Sequence, residues 1–351
     1  MNTSKIVSLI AVLLLIVSAI AYIEMNKAGT VASMPIGDDF ASSTVAAPAA
    51  GAASSSRAAI IAQKALEYPR AKEIVDPTGF INTPNGLPIT ISQYIGKKVI
   101  LIDFWTYSCI NCQRTIPYLN DWYTKYEDKG LVIIGIHTPE FDFEKDINNV
   151  KAAVQKFGIQ YPVVLDSDMG TWNAYGNLYW PREYIIDIDG FIREDHIGEG
   201  GYSDTENTIQ QLLMERAQVL GTSEAGIATT TVSNPADQMQ NISQETYFGS
   251  FRGEDVASYL VGDWNVESQY AQSGNASTLV FPYTAKEVYV VAESDTPSTV
   301  DVLIDGKQSG TVSISGAQLY TLVSGTDVES HTLTLKINNP GVKIFTLTFG
   351  S

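Results

Sequence analysis

Cysteine and histidine are scarce in this chain: 351 residues hold two cysteines and three histidines. A small exported scaffold stapled by disulfides carries many cysteines at wide spacing. Here Cys109 and Cys112 lie three positions apart, which points to chemistry and not to stapling. A structural zinc site wants four Cys or His ligands. There is no second C-x-x-C, and His137, His196 and His331 are scattered, so neither a metal nor a dissociable cofactor is expected. Basic residues are also few: 22 Lys and Arg stand against 39 Asp and Glu, for a formal charge of −17. That balance argues against nucleic acid as a partner, because phosphate binding needs clustered cations. With 44% apolar and 17% charged residues, the chain is ordinary globular protein, long enough for more than one core.

One long hydrophobic run stands out. After Lys5, residues Ile6 to Ile23 are apolar apart from Ser8 and Ser18. The run is short for a membrane span and long for a signal-peptide core. Ala19-Ile20-Ala21 offers a cleavage site, so residues 1–27 read as a membrane anchor or, alternatively, as a signal removed on secretion. In either case the remainder faces the periplasm or the cell exterior. Residues 28–72 read as a tether rich in Ala, Ser and Gly, with a short helix expected from Arg57 to Tyr68.

From residue 73 to 219 the pattern alternates between strand and helix, which predicts an α/β domain with a mixed central sheet. Lys98–Trp105 is a buried strand, and Cys112–Lys129 a helix closed by Gly130. Leu131–His137 and Tyr161–Leu165 are strands, with a helix over Phe143–Phe157 between them. Glu183–Ile188 and Phe191–Ile197 form a hairpin across Asp189-Gly190. Thr205–Val219 is the last helix. Residues 220–243 are a linker rich in Gly, Ser, Thr, Asn and Pro. Residues 244–351 show only short alternating strands: Ser277–Tyr283, Lys286–Ala292, Thr299–Ile304, Gln318–Val323, His331–Ile337 and Val342–Phe349. These predict an all-β sandwich.

The C-x-x-C lies where a buried strand runs into a helix. Cys109 at a helix N-terminus meets free N–H groups and the positive end of the dipole, which favour the thiolate nucleophile. Cys112, one turn on, is placed to resolve a mixed disulfide. Asp103 sits in an otherwise apolar strand, six residues before Cys109. A buried carboxyl there has a raised pKa and can act as acid or base, unless it is a rim residue bonded only to backbone. His137 ends the next parallel strand, on the edge where α/β sites gather. His137 and Glu140 are therefore candidate lining residues, although Thr138-Pro139-Glu140 reads equally as a loop entering a helix.

Ile100-Leu101-Ile102-Asp103-Phe104-Trp105 followed by Cys109 and Cys112 resembles thioredoxin and its exported TlpA-like relatives. Pro117, five residues after Cys112, falls where thioredoxins kink the active-site helix. Trp180-Pro181 matches the cis-proline segment. The run Phe104 to Cys112, His137 to Phe141, and Tyr179-Trp180-Pro181, together with the β-rich tail, resemble the extracytoplasmic part of DipZ proteins over about residues 73–351. There a thioredoxin-like domain precedes a carbohydrate-binding-like sandwich of the jelly-roll or galactose-binding type. The resemblance implies a thiol–disulfide oxidoreductase that reduces exported proteins through a Cys109–Cys112 redox disulfide. It implies that Asp103 handles the proton of Cys112, and that Trp180, Pro181 and Trp105 contact substrate. DipZ proteins carry a CcdA-type membrane domain. With one hydrophobic segment here, electrons are expected from a separate donor of that type. Two residues depart from the pattern: Ser108 replaces a Trp before the first cysteine, and Thr115 stands where many TlpA-like reductases have Glu.

Two other readings stay open. Thr106-Tyr107-Ser108-Cys109 fits the T-x-x-C of peroxiredoxins, a thiol peroxidase class. Alternatively, the sandwich is the working part and binds a cell-envelope glycan or protein. Trp264, Tyr283 and Tyr320 are candidate sugar-stacking residues, though aromatics in small sandwiches commonly fill the core.

Overall fold

Two seven-residue apolar runs, Val99–Trp105 and Leu131–His137, are buried at every position and lie side by side, parallel. Strands covered on both faces read as continuous apolar runs, and these two do. The fold is known from a computed structural model that describes residues 50–223, 226–227, 242–252 and 255–351. In chain order, the strands of the first sheet are β1 (Gly79–Ile81), β2 (Val99–Trp105), β3 (Leu131–His137), β4 (Val163–Leu165), β5 (Arg182–Ile186) and β6 (Ile192–Ile197). Their spatial order is β1-β4-β3-β2-β5-β6. The central β4, β3 and β2 are parallel, and β1, β5 and β6 run antiparallel to their neighbours. Alternation along β2 sends Val99, Leu101 and Trp105 to one core, with the active-site helix Ile110–Tyr126 and the C-terminal helix Tyr202–Leu220. Ile100, Ile102 and Phe104 face a second core on the other side. Asp103 shares the first face with Leu101 and Trp105, because side chains alternate with period two.

Local chemistry moves several expected boundaries. The active-site helix begins earlier than expected because Cys109 caps it. The single helix expected over Phe143–Phe157 is a 3₁₀ turn, Asp142–Lys145, and then a helix Ile147–Lys156. Asp146 restarts it by accepting the Asn148 N–H at 2.8 Å. The short β1 and the helix Gly170–Tyr175 carry too few residues to show a period. Within the expected tether, Ala50–Glu67 is helix. Its Lys64 is buried, with its ammonium 2.6 Å from Asp187 and 2.8 Å from Asp189 and a third contact to Glu215, while Arg57 also reaches Asp189. A docked helix, not a loose tether, occupies these residues. The apolar run at 6–23 lies outside the described residues, as do 28–49 of the expected tether and most of the expected linker. Among the described residues no helix is long and apolar enough to cross a membrane.

The second sheet is antiparallel throughout and has nine strands. They are β7 (Thr246–Tyr247), β8 (Leu260–Val261), β9 (Trp264–Val266), β10 (Ala271–Ser273), β11 (Thr278–Glu293), β12 (Ser298–Ile304), β13 (Lys307–Ile314), β14 (Gln318–Ile337) and β15 (Lys343–Gly350). It curls around one core that includes Leu279, Phe281, Val290, Val300, Leu335 and Leu347. Two pairs of expected strands are continuous. β11 and β14 pair along their lengths, absorbing irregularities at Ala285/Glu287 and Val288/Tyr289, so bulges bend the ladder without ending it. β13 is not expected; most of its residues are exposed, so it lacks an apolar alternation. The two sheets belong to one compact unit, residues 55–351. Phe141, Val291 and Phe345 are buried between them, with the Phe143 and Phe345 rings 4.8 Å apart.

Candidate active site

β2 delivers the chain to the C-x-x-C through a tight turn, Thr106–Ser108, that is buried throughout. Two side chains hold it. Gln113 donates to the Tyr107 carbonyl at 2.8 Å. Glu144, itself buried, accepts the Ser108 hydroxyl at 2.6 Å and the Glu140 and Phe141 N–H groups at 2.6 and 3.0 Å. Burial raises the Glu144 carboxyl, and its hydrogen bonds to Ser108, Thr106 and backbone counter that. Ser108 is therefore an interior clamp, not a docking surface.

Cys109 is the N-cap of the active-site helix, half-buried, and its Sγ accepts the Cys112 N–H at 3.3 Å. Helix N-terminal N–H groups have no partner within the helix and are free to donate to such a sulfur. The same Sγ lies 3.9 Å from the Trp180 carbonyl, and the Trp180–Pro181 peptide is cis. Trp180 is held by its indole N–H on the Thr138 carbonyl at 3.0 Å and by packing on Trp172, with centroids 4.2 Å apart. Just before it, Leu178 and Tyr179 are exposed, two large side chains that sequence patterning does not flag. Cys112 is buried in the core with Leu101 and Trp105, and both cysteines are free thiols. Burial pushes the Cys112 thiol well up; the hydrogen bond and charge of Cys109, and then the charge of Asp103, add to it.

Asp103 is buried, and its Oδ1 has no hydrogen-bond partner among the described residues. Burial raises its carboxyl to about 8. The rim reading is thus excluded: the group lies in the interior, on the face where Cys112 packs. Gly135 is its neighbour on β3. A β-carbon there would lie 2.8 Å from Trp105 Nε1, so glycine admits the Trp105 ring. Thr115 is also interior; its hydroxyl returns to the Asn111 carbonyl at 3.0 Å and carries no acid for the site.

Three expected substrate contacts are placed elsewhere. Trp105 is fully buried, because β2 is covered on both faces and its odd-numbered residues pack under the active-site helix. His137 is 1% exposed, stacked on Tyr107 with its edge to Trp105, and burial lowers it to about 3, which keeps it neutral. Glu140 turns to the second sheet, where Tyr247 donates to it at 2.7 Å and Arg252 pairs with it at 2.8 Å. That sheet also touches the site directly. Tyr107 donates to the Ala317 carbonyl at 3.3 Å, and Arg114 on the active-site helix pairs with Glu287 at 2.6 Å. Glu144 and Glu183 were missed. Glu144 stands among Asp142, Lys145 and Asp146, and Glu183 follows Arg182 at the start of β5, so neither shows the lone-charge signal that singles out Asp103.

The three aromatics considered for glycan stacking are committed to packing. Tyr283 lies in the second core, and Trp264 and Tyr320 pack against it. Tyr320 Oη bonds to Ser315 and Gly316, and the Trp264 indole bonds to the Val261 carbonyl.

Comparison with known proteins agrees with this geometry. A profile described as the AhpC/TSA family matches residues 71–195, and one described as a thioredoxin-like C-terminal domain matches 222–350. Protein DipZ of Mycobacterium tuberculosis is 38% identical over 304 residues, 80% of this chain and 43% of DipZ, so the chain spans under half of that relative. The thiol-disulfide oxidoreductase YkuV of Bacillus subtilis is 32% identical over 127 residues, 36% of this chain and 85% of YkuV. ResA of Bacillus thuringiensis, of the same description, is 31% identical over 136 residues, 39% of this chain and 75% of ResA. With a capped, half-buried Cys109, a buried Cys112 and a cis-proline carbonyl beside them, the chain belongs to the family of thioredoxin-like thiol–disulfide oxidoreductases that includes YkuV, ResA and the matching part of DipZ.

Proposed function

We propose that this protein reduces disulfides in exported proteins through a Cys109/Cys112 dithiol, held outside the cytoplasmic membrane by its N-terminal segment and recharged by a separate membrane donor of the CcdA type. The observation that carries the reading is the asymmetry of the two sulfurs. Cys109 lies at the surface end of the helix, against the Trp180 carbonyl, and Cys112 lies beneath it on the face that holds Asp103. The Cys109 thiolate attacks a substrate disulfide while the substrate backbone pairs beside Trp180 and the exposed side chains of Leu178 and Tyr179. Cys112 gives its proton to Asp103 and displaces the reduced product. The donor then returns two electrons to the Cys109–Cys112 disulfide, and no dissociable cofactor takes part.

The peroxidase reading requires the Thr106 hydroxyl beside Cys109. That hydroxyl instead lies 3.5 Å from His137 Nε2 and bonds to Glu144. Peroxide consumption by the purified protein with a thiol donor is therefore the control assay. The glycan reading loses its platform, since Trp264, Tyr283 and Tyr320 are packed. The second sheet is better read as a wall of the active-site cleft, through Tyr107–Ala317 and Arg114–Glu287.

The direction of electron flow is tested by the reduction potential of the cysteine pair in the full chain, measured in thiol/disulfide buffers by alkylation and mass. A value near about −250 mV or below fits a reductase, and one near about −120 mV makes the protein an oxidant. A pair that never interconverts overturns the redox reading itself.

A further inference from the structure

Asp103 does not stand alone in the interior. Strand register puts it opposite Glu183 on β5, and Glu183 opposite His196 on β6. Residues directly opposite on antiparallel strands project from one face, with β-carbons about 4.5–5.5 Å apart. Asp103, Glu183 and His196 thus form a row across three strands, on the face that carries Leu101, Ile185 and Cys112. The row begins on the strand under the active-site helix and ends on β6, the outer strand, where His196 is half-buried. Asp103 and Glu183 are 1% and 2% exposed. Among the described residues, Asp103 Oδ1, Glu183 Oε1 and His196 Nε2 each lack a hydrogen-bond partner. Interior polar atoms are nearly always paired, so three unpaired atoms in one row call for a role. The imidazole is held in place from above by Gly201, at φ +62, where a β-carbon would lie 2.8 Å from His196 Cε1.

We propose that Glu183 and His196 extend Asp103 into a proton path from the Cys112 thiol to the solvent edge of the sheet. The proposal rests on the thiol–disulfide exchange reading and adds two positioning residues to it. In the resolving step the Cys112 S–H bond breaks and its proton passes to the Asp103 carboxylate. The sulfur electron pair forms the Cys112–Cys109 bond while the Cys109–substrate S–S bond breaks. The substrate sulfur leaves as thiolate and takes a proton from solvent. The dithiol loses two electrons and the substrate disulfide gains them. The proton on Asp103 then moves to Glu183 and on to His196, which releases it.

The surrounding groups are those such a path requires. Burial raises the Glu183 carboxyl well above its usual range, and the charges of Asp103 and of Glu194 on β6 add to it. Glu194 is held by the Thr205 hydroxyl at 2.9 Å. Tyr161, buried with its hydroxyl unpaired, is raised by burial and then by Asp103, Glu183 and Cys112. Tyr202 of the C-terminal helix also feels Glu183. Two carboxyls that share a site ionise in turn, and each holds back the other.

The test is stopped-flow reaction of the reduced full chain with one equivalent of 5,5′-dithiobis(2-nitrobenzoate). The first burst of aromatic thiolate reports attack by Cys109, and the second reports displacement by Cys112. Glu183→Gln is expected to leave the first burst unchanged and to move the pH midpoint of the second downward by about half a unit or more, because Asp103 then ionises without an acidic neighbour. His196→Asn is expected to slow the second burst several-fold, with imidazole added to the buffer restoring it. A wild-type second burst in either variant overturns the path. If Glu183→Gln does not fold, His196→Asn at the half-exposed end of the row decides alone. A wild-type protein that shows no first burst overturns the exchange reading instead, so the two failures are distinct.

Discussion

Asp103→Asn exchanges a buried acid for an amide of nearly the same shape, and it separates stability from activity. In the folded protein the carboxyl ionises at about 8, against 3.8 when exposed, a difference of about 4 units. The folded state therefore binds one more proton than the unfolded state between about pH 4 and 8. Stability from this group is complete at the acidic end of that window and is lost as pH rises to 8, at about 1.4 kcal/mol per unit. By pH 9 the ionised, unpaired carboxylate costs about 6 kcal/mol relative to pH 4. An unpaired amide in the same place costs about 1–3 kcal/mol. The variant should then be more stable than wild type by about 3–5 kcal/mol at pH 9, and level with it or slightly weaker at pH 4. Urea unfolding of the reduced full chain at several pH values measures this. Four of the five tryptophans (Trp105, Trp122, Trp172 and Trp180) lie in the part containing the first sheet, so fluorescence follows that part. The same variant should slow displacement by Cys112 and spare attack by Cys109. A stability difference that stays flat from pH 4 to 9 would refute a buried, protonated Asp103.

Cys112→Ser should accumulate a mixed disulfide on Cys109 with a small disulfide substrate, visible by intact mass, whereas Cys109→Ser should form none because Cys112 is buried. Glu144→Ala strands the Ser108 hydroxyl and two backbone N–H groups, and should cost about 2–4 kcal/mol in a denaturant titration; a change below 1 kcal/mol would mean the clamp is not held by this carboxylate. Lys64→Met leaves Asp187 and Asp189 without their central ammonium and should cost about 3–5 kcal/mol. An unchanged unfolding midpoint would show that the helix Ala50–Glu67 is not docked on the hairpin between β5 and β6.

Sequence alone determined the features that depend on neighbours along the chain. The continuous apolar runs around Ile102 and Ile134 dictate two doubly covered strands, because nothing else buries such runs. The C-x-x-C directly after one of them lies at a strand-to-helix junction, where Cys109 caps. Asp103 was legible as an anomaly, a lone charge in an apolar strand. Asp189-Gly190 and the late alternating strands marked a hairpin and an all-β tail. What depends on pairing across the sheet was not legible. Trp105 and His137 look available at strand ends, yet both strands are covered on both faces to their last residue, which buries the two side chains. Glu140 follows closely on the end of β3, but Tyr247 of β7 and Arg252, in the 3₁₀ turn after it, claim it. Glu183 and His196 acquire meaning only when β5 and β6 are laid against β2, which brings residues 80 and more positions apart into one row. The helix over 50–67 has weak local signals and is fixed by Lys64 meeting Asp187 and Asp189. Local propensity and period act over a few residues. Strand order, register and buried charge pairing join distant ones, and only the folded chain decides them.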